Sequence, residues 1–308
     1  MKILYIGSFD KPWKTEAYIA RALRKLGHNV KTIDETECNV DEVLSISSQY
    51  DFLLFSKLRI KNKHKLLRQI KIPTVCWVFD LYWALPRVIE LYHDPIFKAD
   101  LVFTTEDGHE EEYKRLGIKH YCLRQGIAEE EAYIGKFNPK YATDIVFVGK
   151  VYGTWHPGRL ALLEFLKANY GSRFKLYGEN EEIRGKELND LFASVKIVMG
   201  DTIYAPFAKG WWSNRIYETL GRGGFLIHPK VKGLEKEFRY YQHFVPYDFG
   251  NWEQLKEIID FYLKHDKERR RIQLAGHRFC KENYTYRERC KKLIRIVQKE
   301  IFGKKFTQ

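Results

Sequence analysis

The sequence predicts an α/β protein of two Rossmann-like domains facing a central cleft, with a C-terminal helical segment. Three observations predict it. Short apolar runs recur along the chain, and they are continuous rather than alternating. Such runs suit strands buried on both faces of a parallel sheet. Amphipathic stretches separate them, which makes βαβ units. The rhythm then breaks once, near residues 128–142, and restarts.

The elements follow in order. KILYIG (2–7) opens the chain as a strand, and a helical stretch near 15–27 ends at Gly27, a usual helix stop. VKTID, DFLLFS, TVCWVFD, DLVFTT and HYCLRQG follow as strands, with HKLLRQI and GHEEEYKRLG among the helical segments between them. AEEEAYIGKFNPKYA is polar, holds Gly and Pro, and has no clean period, so it reads as a linker. DIVFVGK, FKLYGE, VKIVMGD, FLIHP and HFVPYD then alternate with helices, one from about 157 and one after Trp212. From Asn251 onward the chain is helical. In its last helix Cys290, Leu293, Ile294, Val297 and Ile301 share one face, and the opposite face is basic. The expected domains are 1–140, 141–284 and a basic amphipathic helix at 285–308 that packs back on the first.

Composition narrows the classes. The chain has 308 residues, 44% hydrophobic and 15% aromatic, enough for real cores and against disorder. No run approaches the roughly eighteen apolar residues that span a bilayer. The start, MKILYIGSFD, reads as a strand rather than a signal peptide. Five cysteines (38, 76, 122, 280, 290) are scattered and never spaced as CxxC. They read as reduced thiols in a cytoplasmic protein with no metal site. The net charge is +13. Fourteen Lys/Arg against five Asp/Glu from Asp266 to Gln308, a surplus of nine, leave +4 for the rest. That basic end fits a nucleic acid, an anionic membrane surface, or a merely solvated helix face.

Ligands of doubly wound sheets bind outside the C-terminal ends of the strands, so the residues just after each strand carry the information. Gly7 and Ser8 follow the first strand and fit either a close backbone approach to a ligand or a plain tight turn. GxGxxG is absent, as is the P-loop lysine motif, so nicotinamide dinucleotides are not supported. Lys150 and Arg159 flank a loop that contains Trp155. A point charge and a fork-shaped donor suit a pyrophosphate, although a solvated loop would look the same. In WWSNRIYETLGRGG, Ser213 or Asn214 can cap the following helix, whose free N–H groups would favour an anion. Arg215 in that first turn opposes the helix dipole and calls for an anionic partner. Glu218, one turn further, can accept from two neighbouring hydroxyls such as a ribose pair. Trp211 and Trp212 either wall such a site or belong to the core.

These blocks resemble the GT-B glycosyltransferases, specifically the spore-maturation-protein-like (CgeB-like) group. The resemblance rests on FVGK…R, LYGE, VKIVMGD and SNRIYETLGRGGFLIHP, and on Tyr286 with Arg287 and Arg289 near the end. It covers about residues 143–295 well and the N-terminal half loosely. It implies a metal-independent transfer from a nucleotide-diphosphate sugar, with a UDP-sugar as the expected donor and no cofactor. Glu218 would bind the ribose, Lys150, Arg159 and the turn Ser213–Arg215 the pyrophosphate, and Tyr177, Gly178 and Glu179 would lie near the base. Many retaining members carry a second glutamate eight positions before the ribose-binding one, where this chain has Gly210.

An acceptor hydroxyl needs a base if the reaction inverts. Asp80, at the end of TVCWVFD and beside aromatics, would be partly desolvated and is the candidate, unless it is simply a helix N-cap before 86–94; His93, His109 and Asp107 are rivals. The acceptor stays open between DNA with hydroxymethylated bases or a glycan at an anionic membrane surface, either of which the basic C-terminal segment could meet, and, equally, a soluble protein or polysaccharide. The competing class is a non-catalytic nucleotide- or nucleic-acid-binding protein on the same scaffold.

Overall fold

The computed structural model describes residues 1–83, 87–151, 157–178, 182–203 and 210–303. The chain divides into two compact units, one built from Met1–Gln125 with Tyr286–Gln308 and the other from Gly126–Pro206 with Gly210–Thr285. The division thus falls at Gln125–Gly126, earlier than the 140 expected from composition. The polar stretch after it belongs to the second unit, where it forms two single-turn helices at Glu129–Glu131 and Pro139–Tyr141.

In the first unit β1 (Lys2–Gly7), β2 (Asn29–Asp34), β3 (Phe52–Phe55), β4 (Thr74–Trp77), β5 (Leu101–Thr104) and β6 (His120–Cys122) form one sheet. Its order is β2-β1-β3-β4-β5-β6, and every pairing is parallel. The helices are α1 (Thr15–Lys25), α2 (Val40–Ser47), α3 (Lys63–Gln69), α4 (Val88–His93) and α5 (Glu110–Arg115). FLLF and TVCW are buried at every position, as strands covered on both faces must be. Leu4, Ile6, Leu53, Phe55, Cys76 and Val102 build the main core.

In the second unit β7 (Thr143–Val148), β8 (Phe174–Tyr177), β9 (Val195–Met199), β10 (Leu226–Pro229) and β11 (Val245–Tyr247) pair in parallel in the order β11-β10-β9-β7-β8. Its helices are α6 (Pro157–Tyr170), α7 (Gly185–Ser194), α8 (Arg215–Gly221), α9 (Trp252–Lys264) and α10 (Asp266–Asn283). Alternate residues of β7 face opposite cores. Ile145 and Phe147 join Ile197, Met199 and the α6 leucines, while Val146 joins Val198, Leu188 and Leu191. The strand order reverses between β7 and β9, and the crevice outside their C-terminal ends is where such a sheet takes a ligand.

The last helix, α11 (Tyr286–Phe302), belongs to the first unit. Tyr286 stacks on Tyr18 of α1 at 5.8 Å between centroids, and Cys290, Leu293, Ile294 and Val297 are buried. Arg287, Lys291, Lys292, Arg295 and Lys299 are exposed. Among the described residues no helix is long and apolar enough to cross a membrane.

Candidate functional site

The reversal point of the second sheet gathers three charged side chains. Gly149 and Lys150 follow β7. The amide of Gly149 donates to the carbonyl of Tyr177 at 2.8 Å, which holds the ends of β7 and β8 together. Gly178 comes next with φ +91°, and a Cβ there would lie 3.0 Å from the Gly149 nitrogen, so the pair needs glycine. A Cβ on Gly149 itself would run into the guanidinium of Arg215. Arg159, in the first turn of α6, is buried and donates to the Lys150 carbonyl.

Asp201, just past β9, is the hub. Arg159 Nε donates to its Oδ2 at 2.5 Å and Nη2 to its Oδ1 at 3.3 Å. Arg215 Nη1 donates to the same Oδ1. Both guanidiniums lie over the Phe147 ring, at 5.5 Å and 4.8 Å from its centroid. Burial pulls the Arg215 pKa below its ordinary value, and Asp201 opposes that pull. His228 on β10 is fully buried. Burial lowers its pKa to about 4, so it is neutral and adds no charge beside Asp201.

Glu218 lies one turn into α8. Asn214 Nδ2 donates to its Oε1 at 3.4 Å, and Arg222 Nη2 stands 3.8 Å from its Oε2. Arg222 is 1% exposed and also donates to Glu131, to Asn189 Oδ1 and to the Gly185 carbonyl. It anchors α8 to α7 and to the segment after the division. Trp212 is core: its Nε1 donates to the Tyr217 hydroxyl at 2.9 Å, which donates on to Glu237 at 2.6 Å. Trp211 is buried too.

One expectation is corrected here. The first-turn N–H groups of α8 are not free for an anion. Arg215 N–H donates to Ser213 Oγ, Ile216 N–H to the Ser213 carbonyl, and Tyr217 and Glu218 N–H to the Asn214 carbonyl. Ser213 Oγ takes the Arg215 amide, while Asn214, at the N-cap position, makes no side-chain cap and turns its amide to Glu218. The anion that Arg215 calls for is, in the first instance, Asp201. Trp155 and Glu179 lie outside the described residues. Tyr177 packs edge-on to Tyr141 at 6.0 Å.

The remaining candidates stand in the first unit. A Cβ on Gly7 would meet Glu16 Cγ at 2.8 Å, so this glycine lets α1 start against β1. Ser8 Oγ donates to Asp10 Oδ1 at 2.9 Å. Asp80 is partly desolvated, as expected, and two cations hold it. Its side chain is 30% exposed and pairs with Lys57 and, at 2.5 Å, with Arg87. It is not the N-cap of α4, which is Arg87. His93 is exposed at the end of α4. His109 is buried and stacks on Trp83 at 5.1 Å. Asp107 stands 3.9 Å from Arg124. Tyr286 and Arg289 are structural ties, the latter donating to the Gln125 carbonyl at 2.9 Å.

Sequence reasoning missed Asp201, Arg222 and Glu106. Asp201 carried a legible signal, since it ends VKIVMGD as Asp80 ends TVCWVFD. Glu106, past β5, is fully buried and accepts from the Tyr82 and Trp83 amides. Burial raises its pKa to about 7. Among the described residues no group of three or more His, Cys, Asp or Glu is arranged to hold a metal ion.

Comparison with known proteins agrees with this fold. Residues 159–295 match the glycosyl transferase-like family. No curated protein matches the sequence. Among solved structures, a glycosyltransferase from Rickettsia africae is 13% identical with a TM-score of 0.67, over 98% of this chain and 99% of that one. HepE from Anabaena, solved with UDP and glucose, is 14% identical with a TM-score of 0.64, over 97% and 99%. An alpha-glucosyltransferase solved with UDP and a 13-mer DNA is 12% identical with a TM-score of 0.68, also over 97% and 99%. At these identities the likeness is one of fold, the two-sheet GT-B architecture.

Proposed function

We propose that this chain, a glycosyltransferase of the GT-B type by its fold and its family match, moves a sugar from a nucleotide-diphosphate sugar to an acceptor hydroxyl without a metal ion. The observation that carries the reading is the convergence of Arg159 and Arg215 at the reversal point of the second sheet, with Glu218 one turn along α8. Two guanidiniums in a partly dry site stabilise the charge that develops on a departing diphosphate. Glu218, held between Asn214 and Arg222, accepts from the ribose hydroxyls. Lys150, exposed beside them, adds a third cation, and Tyr177 and Gly178 flank the base. UDP is the expected nucleotide, as in the complexes of HepE. The RIYE…GG run supports placing the chain in the CgeB-like group.

Asp80 is the proposed base: it combines a strand-end position with partial exposure, as His93 and His109 do not, while Asp107 past β5 shares both features and stays its rival. The acceptor is proposed to be a polyanion that meets the basic face of α11, by analogy with the glucosyltransferase solved on DNA. Retention on hydroxymethylated DNA but not on anionic vesicles would select the nucleic acid, and the reverse a membrane-bound glycan.

The test is a thermal-shift panel of UDP, GDP, ADP, CMP and dTDP with their common sugar conjugates, on wild type and Glu218→Ala. A ligand at a hundred times its dissociation constant should stabilise by about 2.7 kcal/mol, a shift of a few degrees. One nucleotide should shift the wild type and lose its effect in the variant. No shift with any of them would remove the donor site proposed above.

A further inference from the structure

The donor-site reading leaves Asp201 unexplained. A buried carboxylate at the centre of a phosphate site is an odd choice, since it repels the ligand. Its geometry resolves the oddity. Asp201 offers two oxygens to Nε and Nη2 of Arg159, the parallel fork that a phosphate also offers, and shares one of them with Nη1 of Arg215. Asp201 is 3% exposed and Arg159 6%. Two guanidiniums that share one carboxylate in so dry a place need an anion at all times, because a buried charge without a partner is strongly destabilising. The Phe147 ring beneath both guanidiniums and the glycine at 149 hold their planes where one small anion reaches both.

We propose that Asp201 is a positioning residue that acts as an internal stand-in for the donor's diphosphate: it orients Arg159 and Arg215 before the donor arrives and competes with the diphosphate for the same N–H groups. The proposal rests on the reading of Arg159 and Arg215 as the diphosphate site. Its consequence is moderated affinity. Donor and leaving nucleoside diphosphate both carry the group, so cations without a competitor would hold the product as firmly as the donor. Binding both states equally adds nothing to turnover. The internal carboxylate keeps the cations aimed and lets the product go.

Asp201→Asn keeps the size of the side chain and removes its charge. Inorganic pyrophosphate and UDP are titrated calorimetrically into wild type and variant, and donor kinetics are measured in parallel. The expected result is pyrophosphate and UDP binding tightened by about tenfold, together with a lower donor KM and a lower kcat. A purely structural role would weaken binding and leave no such split. Unchanged or weaker binding by a folded Asp201→Asn overturns the proposal. Should that variant not fold, Arg215→Gln is compared with Asp201→Asn/Arg215→Gln, in which Arg159 remains as the single guanidinium. The double variant should bind pyrophosphate about tenfold more tightly than Arg215→Gln, and equal or weaker binding overturns the proposal. Wild type that binds neither probe removes the donor site and this proposal with it, whereas wild type that binds beside an unaltered variant removes this proposal alone.

Discussion

Single residues set the chemistry of the two units, and burial is the main lever. Glu106 titrates near 4.5 in an unfolded chain and at about 7 in the folded one, where burial outweighs the two backbone amides it accepts. The folded state therefore holds the extra proton between those values. Stability from this group is present at acid pH and is lost as the pH rises from about 4.5 to about 7. Glu106→Gln removes the titration. The stability of wild type relative to the variant should fall by roughly 3 kcal/mol between pH 4.5 and 8. Urea melts across that range check it, and a constant difference would show that the carboxyl is not shifted. Asp80 makes a kinetic prediction. Asp80→Asn should leave the nucleotide thermal shift intact and lower kcat by about 10²–10⁴-fold, the usual weight of a general base. Full transfer by the variant would pass the role to Asp107 or one of the histidines.

At the scale of elements, close backbone approaches decide what fits. Gly276 of α10 faces the His243 carbonyl, which a Cβ would strike, and Leu220 of α8 lies 3.1 Å from that Cβ position. The same helix donates from Gln273 Nε2 to the Gly223 carbonyl at 2.6 Å and touches Gly221 through His277. α10 is thus the platform on which the short helix carrying Glu218 rests. Gly276→Ala should cost about 1–3 kcal/mol by overpacking, read as a lower midpoint in a denaturant titration. A variant as stable as wild type would mean that α10 can slide. α8 itself shows why side chains rather than the helix end are left to meet a ligand: it has seven residues, and its first N–H groups are already bonded.

At the scale of the whole molecule, the charge surplus of the C-terminal segment resolves into two faces of α11. One is buried against α1, so removing the helix would strip Cys290, Leu293, Ile294 and Val297 from a core and confuse any binding assay. Charge reversal is the cleaner perturbation. Lys291→Glu, Lys292→Glu and Arg295→Glu together should weaken retention on hydroxymethylated DNA. They should also lower the slope of log affinity against log salt by about three contacts' worth, at about 0.9 per phosphate. An unchanged slope would show that α11 carries no polyanion.

By itself the sequence determined the two parallel sheets, each strand within a few residues, and the class of the second unit, because continuous apolar runs and turn residues are local signals. It singled out Arg159, Arg215 and Glu218 as candidates, since strand ends and first helical turns are where ligands of such sheets bind. It also stated that Arg215 needs an anion. Only the tertiary structure decided which anion, because β7, β9 and α8 are far apart in sequence and meet only through the strand order β9-β7-β8. The same holds for Arg222 with Glu131, for Glu106 with the Tyr82 amide, and for the Lys57 and Arg87 that hold Asp80. Periodicity reports which face of an element is buried. It is silent on which polar group another element brings to that face, and that partner sets the charge, the reach and the proton affinity of each side chain here.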